Sequence, residues 1–149
     1  MLPREGKRNE TLEDYQTAAD IHRNVRKYIQ PLIKPGVNLK DLCNLLENKT
    51  RELTEGIGGI AFPTGYFLNS CAAHFTPNPL DEVILKESDI LKIDFGVHVN
   101  GHLIESAFTW TFNDNYKQLK EPPKKRQRLG SSTPGRKWNS DNWESAFKR

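Results

Sequence analysis

Two stretches of the chain repeat one kind of residue at helical spacing. After residues 1–10, which are polar and which we expect to be disordered, Thr11-Leu12-Glu13-Asp14 has the character of a capping box. One face of the following segment then returns every three or four positions: Tyr15, Ala18, Ala19, His22, Val25 and Ile29. This spacing predicts an amphipathic helix that ends or kinks at Pro31.

A second helix is predicted after the Pro35-Gly36 turn. Asn38 is a suitable N-cap, because its side chain can accept a hydrogen bond from the first turn. The buried stripe behind this cap is Leu39, Leu42, Cys43, Leu46 and Leu53. Glycines between positions 56 and 59 interrupt the helical pattern. The run Ile60-Ala61-Phe62-Pro63 then predicts a short strand, followed by a loop through Thr64-Gly65.

The clearest local structure is a β-hairpin. Two β-rich runs, residues 90–99 and 102–112, are separated only by Asn100-Gly101. Asn-Gly is the strongest short signal for a two-residue type I′ turn, because both central residues of that turn need positive φ. The turn sets the pairing register, and the alternation of side chains then decides which residues share a face.

The predicted register divides the hairpin into an apolar face and a polar face. The apolar face collects Ile93, Phe95, Val97, Val99, Ile104, Phe108, Trp110 and Phe112. On the other face Asp94 and Glu105 are diagonal neighbours, roughly 7–8 Å apart. Two carboxylates so placed can bind one divalent cation or bridge two. Acidic residues are also ordinary on the solvated face of an antiparallel sheet, so spacing alone leaves both interpretations open.

Histidines supply a second set of candidates. His74 lies in a loop bounded by prolines, where it could act as a metal ligand, a general acid or base, or a donor to a substrate. A loop histidine taken alone more often has no such role. His98 and His102, beside the hairpin turn, are expected to be surface residues, and His22 is expected to be packed or half-buried on its helix.

The charge of the chain is unevenly distributed. Residues 1–113 carry 12 Lys or Arg against 15 Asp or Glu, whereas residues 114–149 carry 10 against 4. The basic run Lys124-Lys125-Arg126 is a candidate nuclear localisation signal or phosphate-binding patch, and the alternative is that residues 117–149 form a solvated, disordered tail. The basic run lacks the interleaved aromatic residues of a single-strand binder, so we expect no nucleic-acid partner.

Cysteine content and hydropathy point to a cytoplasmic protein. Cys43 and Cys71 are not in a zinc-binding spacing, and two reduced thiols fit an intracellular chain, although a disulfide between them stays open. No apolar run approaches the length needed to cross a bilayer, so we expect no membrane partner.

Several motifs in fixed order resemble the type 2 methionine aminopeptidases. They are Gly59-Ile60-Ala61-Phe62-Pro63-Thr64-Gly65, Leu68-Asn69, Cys71-Ala72-Ala73-His74-Phe75-Thr76-Pro77-Asn78, Lys92-Ile93-Asp94-Phe95-Gly96 and Ala107-Phe108-Thr109. The likeness covers roughly residues 13–117. It implies an α+β pita-bread fold, here a partial one over residues 11–116, with two helices and a hairpin-containing antiparallel sheet. It also implies a metallopeptidase that removes the initiator methionine from nascent polypeptides.

The resemblance implies a role for each candidate residue. Asp94 matches a carboxylate that bridges two divalent ions, discussed for the family as cobalt, manganese, zinc or iron. Glu105 stands where the family has a second metal-binding Asp. His74 matches the active-site histidine that contacts substrate, and Phe62 and Pro63 would line the pocket for the methionine side chain.

The family's other metal ligands, a His and two Glu, lie in its C-terminal half, which the resemblance does not reach. We therefore expect this chain to be inactive when alone. The alternative is a non-catalytic protein-interaction module, which would use an apolar hairpin face left without packing partners. The family also implies association with the ribosome or with translation factors.

Overall fold

The structure, a computed structural model, describes residues 5–116 of the chain. In these residues, two α-helices cover one face of a four-stranded antiparallel sheet. The helices are α1 (Glu5–Ile29) and α2 (Leu39–Leu53). The strands are β1 (Gly58–Ile60), β2 (Gly65–Leu68), β3 (Ile90–Val99) and β4 (His102–Thr111). The long strand β3 pairs with β4 along one edge and with both short strands along the other. The predicted α+β class is confirmed.

Helix α1 begins earlier than the sequence pattern predicts. The structure starts the helix at Glu5, not after the capping box at Thr11, so the prediction of a disordered segment is wrong for residues 5–10. Glu, Lys and Arg in this segment are good helix formers, and an acidic residue at a helix N-terminus interacts favourably with the helix dipole. The other end agrees with prediction, because α1 stops at Ile29 and a 3₁₀ turn containing Pro31 follows.

Helix α2 has the predicted cap and the predicted buried stripe. The Asn38 side chain accepts a hydrogen bond from the backbone N–H of Lys40 at 2.9 Å. Four of the five predicted positions are buried, Leu53 is half-buried, and Thr50 joins them. Both cysteines are free, and burial raises the pKa of the Cys43 thiol to about 12, which makes it a poor nucleophile.

The hairpin has the predicted register. Val99 pairs with His102 across the turn, and the pairing continues without a bulge to Ile90 opposite Thr111. Asn100 and Gly101 have φ angles of 48° and 84°, as a type I′ turn requires. Strand β4 ends at Thr111, one residue before the predicted end.

The two short strands lie where the sequence was misinterpreted. Strand β1 starts at Gly58, two residues before the predicted strand. Strand β2 begins at Gly65, where a loop through Thr64-Gly65 was predicted. Gly58 lies so close to β3 that a Cβ atom there would fall 1.8 Å from the carbonyl oxygen of His98. Gly58 therefore permits close pairing of β1 with β3 in addition to interrupting the helical pattern.

The apolar face of the hairpin is covered within this chain. Helix α1 packs against both β3 and β4, and α2 packs against α1. Phe95 is fully buried and Phe108 is 8% exposed. The expectation of an unpacked apolar face is therefore wrong, because the two helices supply the missing layer. The predicted tail, residues 117–149, lies outside the described residues, and no described helix is long and apolar enough to cross a membrane.

Candidate metal and substrate site

A cleft of about 500 Å³ opens on the face of the sheet that the helices leave uncovered. Its walls are Phe62, Pro63, Gly65, Phe67, Ala73, His74, Phe75, Thr76, Asp94 and Glu105. All five residues selected from the sequence as substrate-binding, catalytic or metal-binding candidates are in this set. They come from β3, from β4 and from the two loops on either side of β2, and the fold brings them together.

The two carboxylates have the predicted diagonal relation. Asp94 on β3 pairs with Ala107, and Glu105 on β4 pairs with Gly96. Paired residues share a face of the sheet, and Asp94 is two positions from Gly96, the partner of Glu105. Both carboxylates therefore point to the cleft face. Asp94 is half-buried and Glu105 is exposed, so one carboxylate lies deeper in the cleft than the other.

Gly96 allows Phe62 to lie next to the carboxylates. A Cβ atom at Gly96 would come within 2.7 Å of the Phe62 ring and 2.8 Å of the Ala61 methyl group. The backbone N–H of Ala61 donates to the carbonyl oxygen of Gly96 at 3.0 Å, which holds this loop across the sheet. The sequence shows the glycine but cannot show what passes over it.

Phe67 is a wall of the cleft that sequence analysis missed. It lies on β2, two residues after Gly65, and therefore on the same face of the sheet. A Cβ atom at Gly65 would fall 2.2 Å from the Phe67 ring, so the ring folds over the glycine. Had β2 been predicted as a strand, the alternation of its side chains would have identified Phe67.

His74 lies in the loop between β2 and β3, residues 69–89, called here the His74 loop. Its side chain is exposed at the cleft, and its backbone has a φ of 60°, which is uncommon for a residue other than glycine. The next residue is anchored, because the carbonyl oxygen of Phe75 accepts a hydrogen bond from the N–H of Tyr66 at 3.0 Å.

The other three histidines lie outside the cleft. His22 is buried, as predicted, and stacks on the Phe95 ring with centroids 4.1 Å apart. Burial lowers its pKa below the ordinary value, while its hydrogen bond to the Phe95 carbonyl oxygen at 3.2 Å opposes that shift. His98 and His102 are half-buried rather than exposed, since His98 lies under β1 and His102 packs against the Tyr15 ring.

Two of the cleft residues have side chains of the kind that can bind a metal ion. Carboxylate oxygens suit hard and borderline divalent cations, so the chemistry of Asp94 and Glu105 fits such an ion. The number of ligands does not complete one, because residues 5–116 contain no group of three or more His, Cys, Asp or Glu placed to hold a metal. Four or more ligands are usual for a divalent ion in a protein.

Comparisons with known proteins agree with this architecture. Residues 13–129 match the model of metallopeptidase family M24. The chain is 52% identical over 120 residues to methionine aminopeptidase 2 of Dictyostelium discoideum and 52% identical over 109 residues to that of Schizosaccharomyces pombe. These alignments cover 78% and 71% of this chain but only 28% and 26% of the two relatives, so the chain spans under a third of their length.

Solved structures show the same fold. The X-Pro aminopeptidase of Thermotoga maritima superposes with a TM-score of 0.62 at 21% identity, over 80% of this chain and 32% of that one. The Xaa-Pro dipeptidase of Bacillus anthracis gives a TM-score of 0.58 at 20% identity, over 74% and 31%. The pita-bread fold, present here in part, and the family match over most of the chain lead to one assignment. The chain belongs to metallopeptidase family M24, whose members use a divalent metal cofactor.

Proposed function

We propose that this chain forms the part of a methionine aminopeptidase that binds the N-terminal methionine of a polypeptide and one side of its metal centre. The observation that carries the proposal is the convergence of five residues on one cleft: Phe62, Pro63, His74, Asp94 and Glu105. The sequence is 52% identical to two methionine aminopeptidases over the aligned residues, which supports the same substrate class.

The apolar walls of the cleft suit a methionine side chain. Phe62 and Phe67 present aromatic rings, and Pro63 adds an apolar surface beside them. A thioether is polarizable and makes favourable contacts with aromatic rings about 5 Å away. The flexible methionine side chain therefore gains more from this cleft than a β-branched or charged side chain would.

His74 is placed to contact the substrate near the carboxylates. Its ring lies at the same cleft as Asp94 and Glu105, and an imidazole can donate or accept a hydrogen bond near neutral pH. We assign it the role of binding and orienting the peptide group next to the methionine. Its loop holds it at the cleft before any substrate arrives, which lowers the cost of ordering that group.

Asp94 and Glu105 would hold the divalent metal that the family requires, cobalt, manganese, zinc or iron in one or two ions. Their partners would come from outside the described residues, since these two carboxylates leave the coordination incomplete. Such an ion would polarise a carbonyl group and lower the pKa of bound water. The 149-residue chain alone is then expected to bind metal weakly and to turn over negligible substrate.

The first test is metal binding measured by NMR. Substoichiometric Mn²⁺ should broaden the backbone amide signals around positions 94 and 105, because a paramagnetic ion relaxes nearby nuclei even when it binds weakly. Asp94→Asn and Glu105→Gln should each abolish the broadening. Glu87→Gln, which removes an exposed carboxylate elsewhere, should leave it unchanged. The assignment would be contradicted if the broadening persisted in Asp94→Asn and disappeared in Glu87→Gln.

The second test is substrate binding and turnover. L-Methioninamide should shift the signals of Phe62, Phe67 and His74 more than glycinamide does, since only methionine fills the apolar cleft. Hydrolysis of Met-Ala-Ser with added manganese should be undetectable for this chain. Clear turnover that disappears in Asp94→Asn would overturn the expected inactivity while supporting the site.

A further inference from the structure

The His74 loop is long and contains no helix or strand between positions 69 and 89. Loops of this length without secondary structure are uncommon in small domains, and they are usually either functional or disordered. His74 sits in this loop with a φ of 60°. Something must therefore hold the loop in one conformation, because few of its side chains are buried.

Asn69, the first residue of the loop, makes four hydrogen bonds to the segment where the loop ends. Its backbone N–H donates to the carbonyl oxygen of Ile90 at 2.9 Å, and its Oδ1 accepts from the N–H of Ile90 at 3.0 Å. Its Nδ2 donates to Oδ1 of Asp89 at 2.9 Å. Its own carbonyl oxygen accepts from Nζ of Lys92 at 2.5 Å. One residue thus joins both ends of the loop.

Only a side-chain amide satisfies this arrangement. Asn presents a donor and an acceptor at once, whereas a carboxylate presents acceptors only. Asp89 is 7% exposed, and its second oxygen accepts from the N–H of Lys86 at 2.9 Å. A second carboxylate beside it would leave one buried acceptor without its donor and place two like charges together. Asn also tolerates the φ of 49° found at position 69.

The path from Asn69 to His74 is short and fastened at both ends. The N–H of Cys71 donates to the carbonyl oxygen of Leu68 at 2.9 Å, which continues the turn that Asn69 begins. Phe75 is then tied to β2 through its bond with Tyr66 at 3.0 Å. His74 lies between these two anchors. A later part of the loop is held separately, by the bond from the N–H of Leu39 to the carbonyl oxygen of Val83 at 2.9 Å.

We propose that Asn69 is a positioning residue, whose side-chain amide holds His74 at the cleft. The inference rests on the proposed function only in taking His74 as the residue that contacts substrate. Asn69 itself does not line the cleft. Its effect passes through the backbone of residues 70–75, and its loss should loosen that segment before it unfolds the domain.

The test compares three variants with a matched control. Asn69→Asp keeps the shape of the side chain but removes the donor to Asp89. Asn69→Gly keeps the positive φ and removes the clamp without adding charge. The double variant Asn69→Asp with Asp89→Asn exchanges the two groups and restores a donor facing an acceptor. The control is Asn100→Asp in the hairpin turn. Asn100 also has a positive φ, and its Nδ2 donates to Oδ1 of Asp14 at 2.9 Å, so this variant removes a comparable hydrogen bond elsewhere.

Amide hydrogen exchange measures the anchor without any need for activity. In Asn69→Asp and Asn69→Gly the N–H of Tyr66, which Phe75 protects, should exchange about tenfold faster or more. The amides of β3 that pair with β4 should change by less than about twofold, because the hairpin does not depend on the clamp. The exchanged double variant should return Tyr66 to within about threefold of the wild type, and Asn100→Asp should not affect it.

A ligand titration provides the second measurement. L-Methioninamide should shift the His74 ring signals in the wild type, and the response should weaken about fivefold or more in Asn69→Asp and recover in the double variant. If neither the wild type nor any variant responds to L-methioninamide, the proposed function fails. The exchange data still test whether Asn69 holds the loop. Unchanged Tyr66 exchange in both single variants would overturn the inference, as would failure of the double variant to restore it.

Discussion

The two faces of the β3–β4 hairpin differ in what covers them. One face carries Phe95 and Phe108 and is buried under α1, with Phe95 fully inaccessible to solvent. The other carries Asp94 and Glu105 and forms the floor of an open cleft. Because side chains alternate along a strand, each carboxylate is one residue away from a core position. A single rigid hairpin thus supplies both the core of the domain and the support for its site.

Because the two faces differ in this way, neighbouring residues of one strand should affect different measured quantities. Substitutions on the helix-packed face should act on the free energy of unfolding, and those on the cleft face should act on ligand binding. A site supported by a packed sheet also keeps its geometry, because the rotamers and register beneath it cannot shift without disturbing the core. Three substitutions test where the division holds.

The largest effect is expected for Phe95→Ala on the helix-packed face. Removing a fully buried phenylalanine should lower the free energy of unfolding by about 3–5 kcal/mol, because the cavity and the lost stack with His22 are not compensated. Urea denaturation followed by circular dichroism measures it. Thr109→Val on the exposed cleft face should change the same quantity by about 0.5 kcal/mol or less. Equal effects of the two substitutions would remove the distinction between the faces.

A smaller effect is expected for Gly96→Ala, which tests the boundary between the faces. The new methyl group would press on the Phe62 ring, so unfolding should become easier by about 1–3 kcal/mol and L-methioninamide binding should weaken. Gly59→Ala is the control, because a Cβ atom there meets only Nε2 of His98 at 3.4 Å. If Gly96→Ala left ligand binding unchanged, Phe62 would not be held by this contact.

The smallest effect is expected from pH, through His22, which is buried and stacks on the Phe95 ring. Burial keeps the pKa of His22 in the folded protein below its ordinary value of 6.5, which the unfolded chain retains. As pH falls below 6.5 the unfolded chain takes up a proton that the folded protein resists, so the free energy of unfolding decreases until the folded pKa is passed.

Denaturation at pH 7.5 and at pH 5.5 measures this dependence. His22→Gln should lose less stability over that interval than the wild type, since glutamine does not titrate and can still donate toward the Phe95 carbonyl oxygen. Other titrating groups contribute equally to both proteins. Identical losses in the two proteins would show that His22 is not the group responsible.

Those elements whose cause is local could be predicted from the sequence. The Asn100-Gly101 turn is sufficient to set the register of ten residue pairs, and with it the diagonal placement of Asp94 and Glu105. Asn38 and the stripe after it identified α2 for the same reason, since a cap and a helical period act within a few residues. The resemblance to a known family then singled out His74, Phe62 and Pro63, which no spacing argument could rank.

What prediction missed depends on contacts between distant segments. Strand β2 is short, and only its pairing with β3 makes it a strand. The glycines at 58, 65 and 96 are close-approach positions, but the groups that approach them come from elsewhere in the chain or fold back onto them. The covering of the apolar hairpin face by α1 was likewise missed, because amphipathic patterns show which faces are buried and not which faces meet.

The sequence by itself determined the hairpin and its register, the capped second helix and the pair of carboxylates on one face, since turn chemistry and side-chain period act over a few residues. The tertiary structure alone decided that α1 covers the opposite face, that Phe62 crosses over Gly96, and that Asn69 closes the loop that brings His74 to the same cleft. Those arrangements join residues tens of positions apart, and their energies come from packing and hydrogen bonds that exist only after the chain has folded.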